Sequence, residues 1–244
     1  MKLCMFTPKE MALERGWPGR VEGDRIVQLA AQTLQAFFTG GGGAREHAEY
    51  ALDDCDLLAP VLYPPAVRVF RPFEHGRLFT FRSPFPVLGP EAALAYPSGT
   101  SELDFGLALA AVVGAEGEIG GFTLANDWSA RDLARIEREA GLGPSKSSDF
   151  GLSLGPLMVT LDEVGTPRLT ARVNGEERVT AELSELMPSW PGLIAEAGRN
   201  TALRPGDVLV ARVPQDEGAP LQPEDVVELE AAGIGVLRNR VSSS

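Results

Sequence analysis

Five polar residues, Asn126, Asp127, Ser129, Arg131 and Asp132, fall within seven positions of "FTLANDWSARDLARIE", where an apolar strand pattern runs into a helical one. Polar groups at the end of a strand feeding a helix bind cations through a carboxylate or anions through backbone N–H groups. The same residues also suit a capping arrangement, with Asp127 or Ser129 as N-cap. Trp128 sits among them as an apolar anchor. Lys146, between small residues in "GPSKSSDF", can approach an enolate or carboxylate closely, or can be a solvated loop lysine. Glu74 and His75 in "PFEHGR" suit acid–base work or metal ligation, and equally a surface turn. His47, in the polar segment "REHAEYAL", reads as solvated on one turn of exposed helix. With two histidines and no Gly-x-Ser-x-Gly elbow, a hydrolytic triad has few options.

The elements that must position these residues are mostly strands. Residues 1–56 read as a small N-terminal domain: a first strand "MKLCMF", and two short strands in "RVEGDRIVQL" around Glu22–Gly23–Asp24. The spacing in "VQLAAQTLQAFF" predicts a helix that stops at Thr39 and the four glycines after it. Ala44–Arg45 stands where a phosphate loop needs Lys-Ser/Thr, so those glycines read as a plain loop. "LLAPVLYPP" reads as a connector into a second domain, residues 57–244. There strand and turn patterns dominate, with a helix predicted over "SARDLARIEREAG" and another within 181–200 interrupted by Pro188 and Pro191. "LRPGDV" and "LQPEDV", eighteen residues apart, each read as a turn feeding a strand. In "SELDFGLALAAVVG", strand alternation puts Asp104, Gly106 and Ala108 on one face and Phe105, Leu107 and Leu109 on the other. The fold class expected is α+β and β-rich.

Among 244 residues, 44% are apolar and 23% charged, ordinary for a globular chain. A formal charge of −12 argues against nucleic acid or an anionic membrane as partner, since phosphate would be repelled. Cys4 and Cys55 suggest two buried thiols, with neither a disulfide framework nor a zinc site. No run of about 20 apolar residues and no signal-peptide pattern is present, so a cytoplasmic, soluble protein is expected.

"NDWSARDL" (126–133), "GPSKSSDFGLSLGPLMVT" (143–160), "VNGEE" (173–177), "LRPGDVL" (203–209) and "PEDVVELEAAGIGVLRNRV" (223–241) resemble, in order and spacing, the fumarylacetoacetate hydrolase superfamily. With "LLAPV" (57–61), the resemblance covers residues 55–241. It implies sheets rolled around a pocket, a smaller N-terminal β domain and a homodimer. It also implies hydrolysis, decarboxylation or isomerisation of small diketo, oxo or dienol acids, as in the catabolism of aromatic compounds. A Mg²⁺ or Ca²⁺ ion held by carboxylates, a histidine held by a glutamate, and a lysine and an arginine at the oxyanion complete the implied site. Asp127 matches the metal-binding aspartate, Arg131 the substrate-site arginine and Lys146 the pocket lysine.

The sequence departs from that pattern in five places. Gly106 and Ala108 stand where the resemblance implies two glutamate ligands, and Val69 where it implies an aspartate. Gly76 aligns with the histidine, leaving His75 one residue short, and Arg212–Val213 replace Gly-Thr. A hard divalent ion takes about six oxygen ligands. The metal site is therefore expected to be largely lost and no cofactor to bind tightly. The reading is a relative that binds a small carboxylate or oxo acid through Arg131 and Lys146. Two alternatives stay open: an active hydrolase or isomerase with a rearranged site using Glu74, His75, Asp104 and Asp127, and a non-catalytic subunit paired with an active paralogue.

Overall fold

The computed structural model describes residues 1–70, 78–166, 168–182 and 190–243. Its strands are β1 (Lys2–Pro8), β2 (Trp17–Glu22), β3 (Arg25–Leu29), β4 (Glu46–Ala51), β5 (Cys55–Leu58), β6 (Val67–Phe70) and β7 (Phe79–Arg82). Then come β8 (Val87–Leu88), β9 (Ala93–Ala95), β10 (Leu103–Asp104), β11 (Leu107–Val113), β12 (Ile119–Asn126), β13 (Ser129–Ala130) and β14 (Leu152–Val159). The last are β15 (Arg168–Val173), β16 (Glu176–Glu182), β17 (Val208–Arg212), β18 (Val226–Ala231) and β19 (Gly235–Ser242). The helices are α1 (Leu34–Thr39), α2 (Arg131–Glu139), α3 (Leu161–Val164) and α4 (Trp190–Gly198).

A large sheet runs β4-β3-β2-β1-β14-β12-β11-β17-β6-β7, with β5 on β1 and β8 on β14. A smaller one runs β16-β15-β18-β19-β9, and β10 pairs with β13 alone. The balance is the expected β-rich α+β. Strand β11 is buried on both faces, which is why "LALAAVV" is an unbroken apolar run. Leu107, Leu109, Ala111 and Val113 join the core between the sheets with Leu229 and Leu237, while Ala108 and Ala110 face Val69, Leu154 and Val210.

Both Leu-x-Pro-x-Asp-Val segments are the same turn. In each the aspartate N–H donates to the carbonyl three residues back, and its carboxylate accepts that residue's N–H. Valine then opens a strand, β17 at Val208 and β18 at Val226. Asn174 and Gly175, both at positive φ, close the β15–β16 hairpin.

Strand β1 pairs with β14 (Leu3↔Met158), so the N-terminal strands extend the large sheet, and β5 spans positions 56 and 57. Three local expectations change. Residues 27–29 are strand, and α1 begins only at Leu34, where Thr33 accepts the Ala36 N–H as N-cap. His47 lies on β4, not a helix, because that segment pairs with β3. Ser129 belongs to β13, and the N-cap of α2 is Ala130 without a side-chain bond.

Cys4 and Cys55 are free and buried. Burial, and then the neighbouring Cys55, push the Cys4 thiol up to about 12. Among the described residues no helix is long and apolar enough to cross a membrane.

Candidate functional site

The expected strand over 101–114 breaks at Phe105–Gly106, and two side-chain amides hold the break open. Asn126 Oδ1 accepts the Gly106 N–H at 2.9 Å. Gln215 accepts the Leu107 N–H at 3.2 Å and donates to the Phe105 carbonyl at 2.9 Å. The Asp127 N–H donates to the Gly106 carbonyl at 2.9 Å, tying the break to the end of β12. Trp128 is fully buried and donates from Nε1 to Ser153 Oγ at 2.8 Å, the anchor its sequence position suggests.

Asp127 is 0% exposed and ion-paired on both carboxylate oxygens. Oδ1 lies 3.1 Å from Arg82 Nη2 and Oδ2 3.1 Å from Arg212 Nη1. Arg82 also donates to the carbonyls of Trp128 and Gly151. Arg212, the last residue of β17, stands opposite Ala108 in the ladder and donates to the Phe105 carbonyl at 3.4 Å. Its guanidinium lies over Gly106. A Cβ there would meet Arg212 Cζ at 2.9 Å, Arg212 Nε at 3.0 Å and the Asp127 carbonyl oxygen at 2.7 Å. Position 106 must therefore lack a side chain for Arg212 to reach Asp127 this way. Val69 and Ala108 lie in the apolar core beside Val210, with no polar function there. Among the described residues, no three His, Cys, Asp or Glu side chains gather closely enough to hold a metal ion.

A cleft of about 660 Å³ opens beside this cluster, lined by Asp104, Arg131, Arg135, Arg212, Gln215 and Glu217 among others. The Arg131 side chain is 11% exposed. Its closest carboxylates, Asp104 at 3.7 Å, Glu217 at 3.8 Å and Glu102 at 4.0 Å, are all beyond hydrogen-bond reach. Glu102 instead takes a two-pronged bond from Arg135, at 2.9 and 2.7 Å. The buried Nε of Arg131 has no hydrogen-bond partner among the described residues. Burial pushes the Asp104 carboxyl above its ordinary range, against the pull of Arg131, Arg212 and its own bond from the Phe105 N–H.

The helix start itself is closed to ligands. The Arg131 N–H donates to the Glu102 carbonyl, and the Ala130 N–H to that of Ser147. Asp132 binds Thr100 Oγ1 at 2.5 Å, the Ser101 N–H and its own neighbour's N–H, so its role is to clamp residues 100–101 to α2.

Lys146 points outward. Its side chain is 81% exposed and bonded to Asp149 at 2.6 Å, an interaction that raises its pKa. Its neighbours Ser147 and Ser148 line the cleft instead. Glu137 holds that loop, accepting from the Ser145 and Ser147 N–H groups and from Ser147 Oγ. Glu74 and His75 lie outside the described residues. His47 lines a separate, shallow cleft with Arg15, Trp17 and Thr33. Asp104 and Arg131 thus line one cleft, Asp127 is buried and meets it through Arg212, and Lys146 lies outside. Sequence reasoning missed Arg82 and Gln215. Only the departure at Arg212 signalled that a cation had entered.

A family model described as "Fumarylacetoacetate (FAA) hydrolase C-terminal" matches residues 65–242. Oxaloacetate tautomerase YisK of Bacillus subtilis is 29% identical over 188 residues, 69% of this chain and 62% of that protein. The mitochondrial oxaloacetate tautomerase FAHD2A of Homo sapiens is 31% identical over 176 residues, 64% of this chain and 55% of that protein. The chain therefore spans 62% and 55% of the lengths of these two relatives. A 5-carboxymethyl-2-hydroxymuconate delta-isomerase from Mycobacterium smegmatis has a similar structure, with a TM-score of 0.85, 24% identity and full coverage of both chains. A maleylpyruvate hydrolase from Sphingobium sp. SYK-6, solved with manganese(II) and pyruvate, superimposes with a TM-score of 0.81 at 22% identity, again over both whole chains. At those identities the likeness is one of fold.

Proposed function

Since the chain belongs to the fumarylacetoacetate hydrolase family, we propose that its cleft binds a small oxo acid and does so without a resident divalent ion. The single observation behind the ligand is Arg131. Its guanidinium is largely buried, its Nε has no hydrogen-bond partner among the described residues, and its three neighbouring carboxylates stand at 3.7–4.0 Å, so its donors are open to a closer anion. A carboxylate, accepting two parallel N–H groups, is the natural complement. The relatives named for oxaloacetate and the neighbour named for maleylpyruvate point to oxo acids of this size.

The donor set argues against Mg²⁺ or Ca²⁺. Hard divalent ions need several oxygen ligands, with carboxylates supplying the charge. Among the positions matched to the implied ligands, the one carboxylate, Asp127, is engaged by two arginines, position 106 has no room, and positions 69 and 108 are apolar. Metal-dependent family chemistry is accordingly impaired. What remains is binding and orientation of the acid by Arg131.

Asp104 favours a second reading. It faces the same cleft 3.7 Å from Arg131, placed to exchange a proton with a bound oxo acid. Calorimetry with oxalate, pyruvate and oxaloacetate in the presence of a chelator tests the first reading. Micromolar binding of Mg²⁺, Mn²⁺ or Ca²⁺ to the apo-protein overturns its metal-free part. Chelator-resistant hydrogen–deuterium exchange on oxaloacetate, lost in Asp104→Asn, selects the second.

A further inference from the structure

We propose that the Arg212 guanidinium is the fixed cation of this cleft, gripping the carboxylate–oxo edge of the ligand that a divalent ion would otherwise hold. The inference rests on the reading that the cleft takes an oxo acid.

Four features of the structure lead to it. Arg212 occupies the space over Gly106, one of the positions where the sequence resemblance implies a metal-ligating carboxylate. It is anchored there by Asp127, the carboxylate matched to the metal-binding aspartate, through Nη1 at 3.1 Å. A positive group thus rests on the residue matched to a ligand for a positive ion. Second, among the described residues the anchor leaves the fork unsaturated. A guanidinium has five N–H donors, and Arg212 commits one to Asp127 and one to the Phe105 carbonyl. Third, the side chain is 14% exposed, and that exposure lies on the cleft shared with Arg131. Fourth, the surrounding geometry is built for this pose. Gly106 supplies the clearance, and Gln215 takes the Phe105 carbonyl and the Leu107 N–H, so the broken strand makes few other demands on Arg212.

The chemistry of such a cation differs from that of an ion in solution equilibrium. It cannot be chelated away, and its planar fork matches two coplanar oxygens. A 2-oxo acid presents such a pair, one carboxylate oxygen and the oxo oxygen. With Arg131 on the same cleft, the second guanidinium is available to a further carboxylate, so the inferred preference is for a 2-oxo dicarboxylate over a monocarboxylate.

The test is titration calorimetry of the full chain with oxalate, in chelator and then with Mg²⁺. Wild-type protein is expected to bind equally in both. Arg212→Gly is expected to weaken oxalate at least about tenfold, with recovery on adding low concentrations of guanidinium. Arg212→Lys, which keeps the charge on Asp127, is expected to fold as wild type and lose affinity several-fold. Should Arg212→Gly fail to fold, the lysine variant provides the reading, and wild-type affinity in it overturns the inference. Unchanged binding in folded Arg212→Gly, or a requirement for Mg²⁺ in the wild type, also overturns it. Absence of any oxalate or oxaloacetate binding to the wild type defeats the cleft reading itself. Loss of binding in Arg131→Gln but not in Arg212→Gly preserves that reading while removing Arg212 from it.

Discussion

The guanidinium of Arg212 lies across Gly106, so close that a Cβ on the glycine would stand 2.9 Å from Arg212 Cζ. In the pattern this sequence resembles, position 106 is a glutamate and position 212 a glycine. Here the small residue is at 106 and the large one at 212. The two positions meet in space: the guanidinium from β17 occupies the room that a side chain at 106 would need.

Gly106→Ala is expected to destabilise the fold by about 1–3 kcal/mol, the usual range for forcing an extra methyl into a packed site. Arg212→Gly in the same chain removes the clash with the guanidinium but not that with the Asp127 carbonyl at 2.7 Å. The double variant should therefore cost less than the two single ones summed. Urea denaturation of the four proteins gives the coupling, and strict additivity contradicts the contact.

Asp127→Ala leaves Arg82 and Arg212 without the carboxylate they share in the interior. Removing one partner of a buried ion pair costs about 3–5 kcal/mol. A midpoint shift smaller than that of an ordinary surface substitution would show the pairing to be immaterial.

Asp104 and Glu137 should move stability in opposite directions with pH. Burial raises the Asp104 pKa in the fold, so its favourable contribution is complete below the unfolded value and lost as pH rises through the folded one. Asp104→Asn should then stabilise at neutral pH and make no difference in acid. For Glu137, burial acts upward, but the bonds from Ser147 and Ser145 outweigh it and the pKa is lowered. Its contribution is present above the ordinary glutamate range and lost as pH falls. Glu137→Gln should cost no more than about 1 kcal/mol at neutral pH, because the group is partly solvated, and nothing in acid. Unfolding curves at both pH values check the two signs.

Lys146→Ala should leave oxalate binding and stability unchanged to within about 0.5 kcal/mol, the range of surface substitutions, since its ammonium is exposed and bonded to Asp149. A clear loss of affinity would mean that the 142–148 loop folds inward over the ligand.

The site was half legible in the sequence. Asp127 and Arg131 could be picked out from a dense polar run at a strand–helix junction; Arg131 lines the cleft, while Asp127 is buried and paired with Arg212, which lines it. For Lys146 the sequence left the direction open, because small neighbours on either side say nothing about which way a loop turns. Here Glu137 draws Ser145 and Ser147 inward and leaves the lysine out. Arg82 offered no signal at all, being one arginine in a short strand until the fold brings it to Asp127.

What the sequence determined by itself was the local geometry. Alternation along 103–113, the Asn174–Gly175 hairpin and the twin Leu-x-Pro-x-Asp-Val turns depend on neighbouring residues and on which face is buried. Side-chain period and turn stereochemistry act over a few residues, so they can be read there. Tertiary structure alone decided that the strand breaks at Phe105–Gly106, through the amide of Gln215 more than a hundred residues away. It alone decided that Asp127 is held by arginines 45 and 85 positions distant. Charges in a buried site interact through space, and only the fold sets those distances.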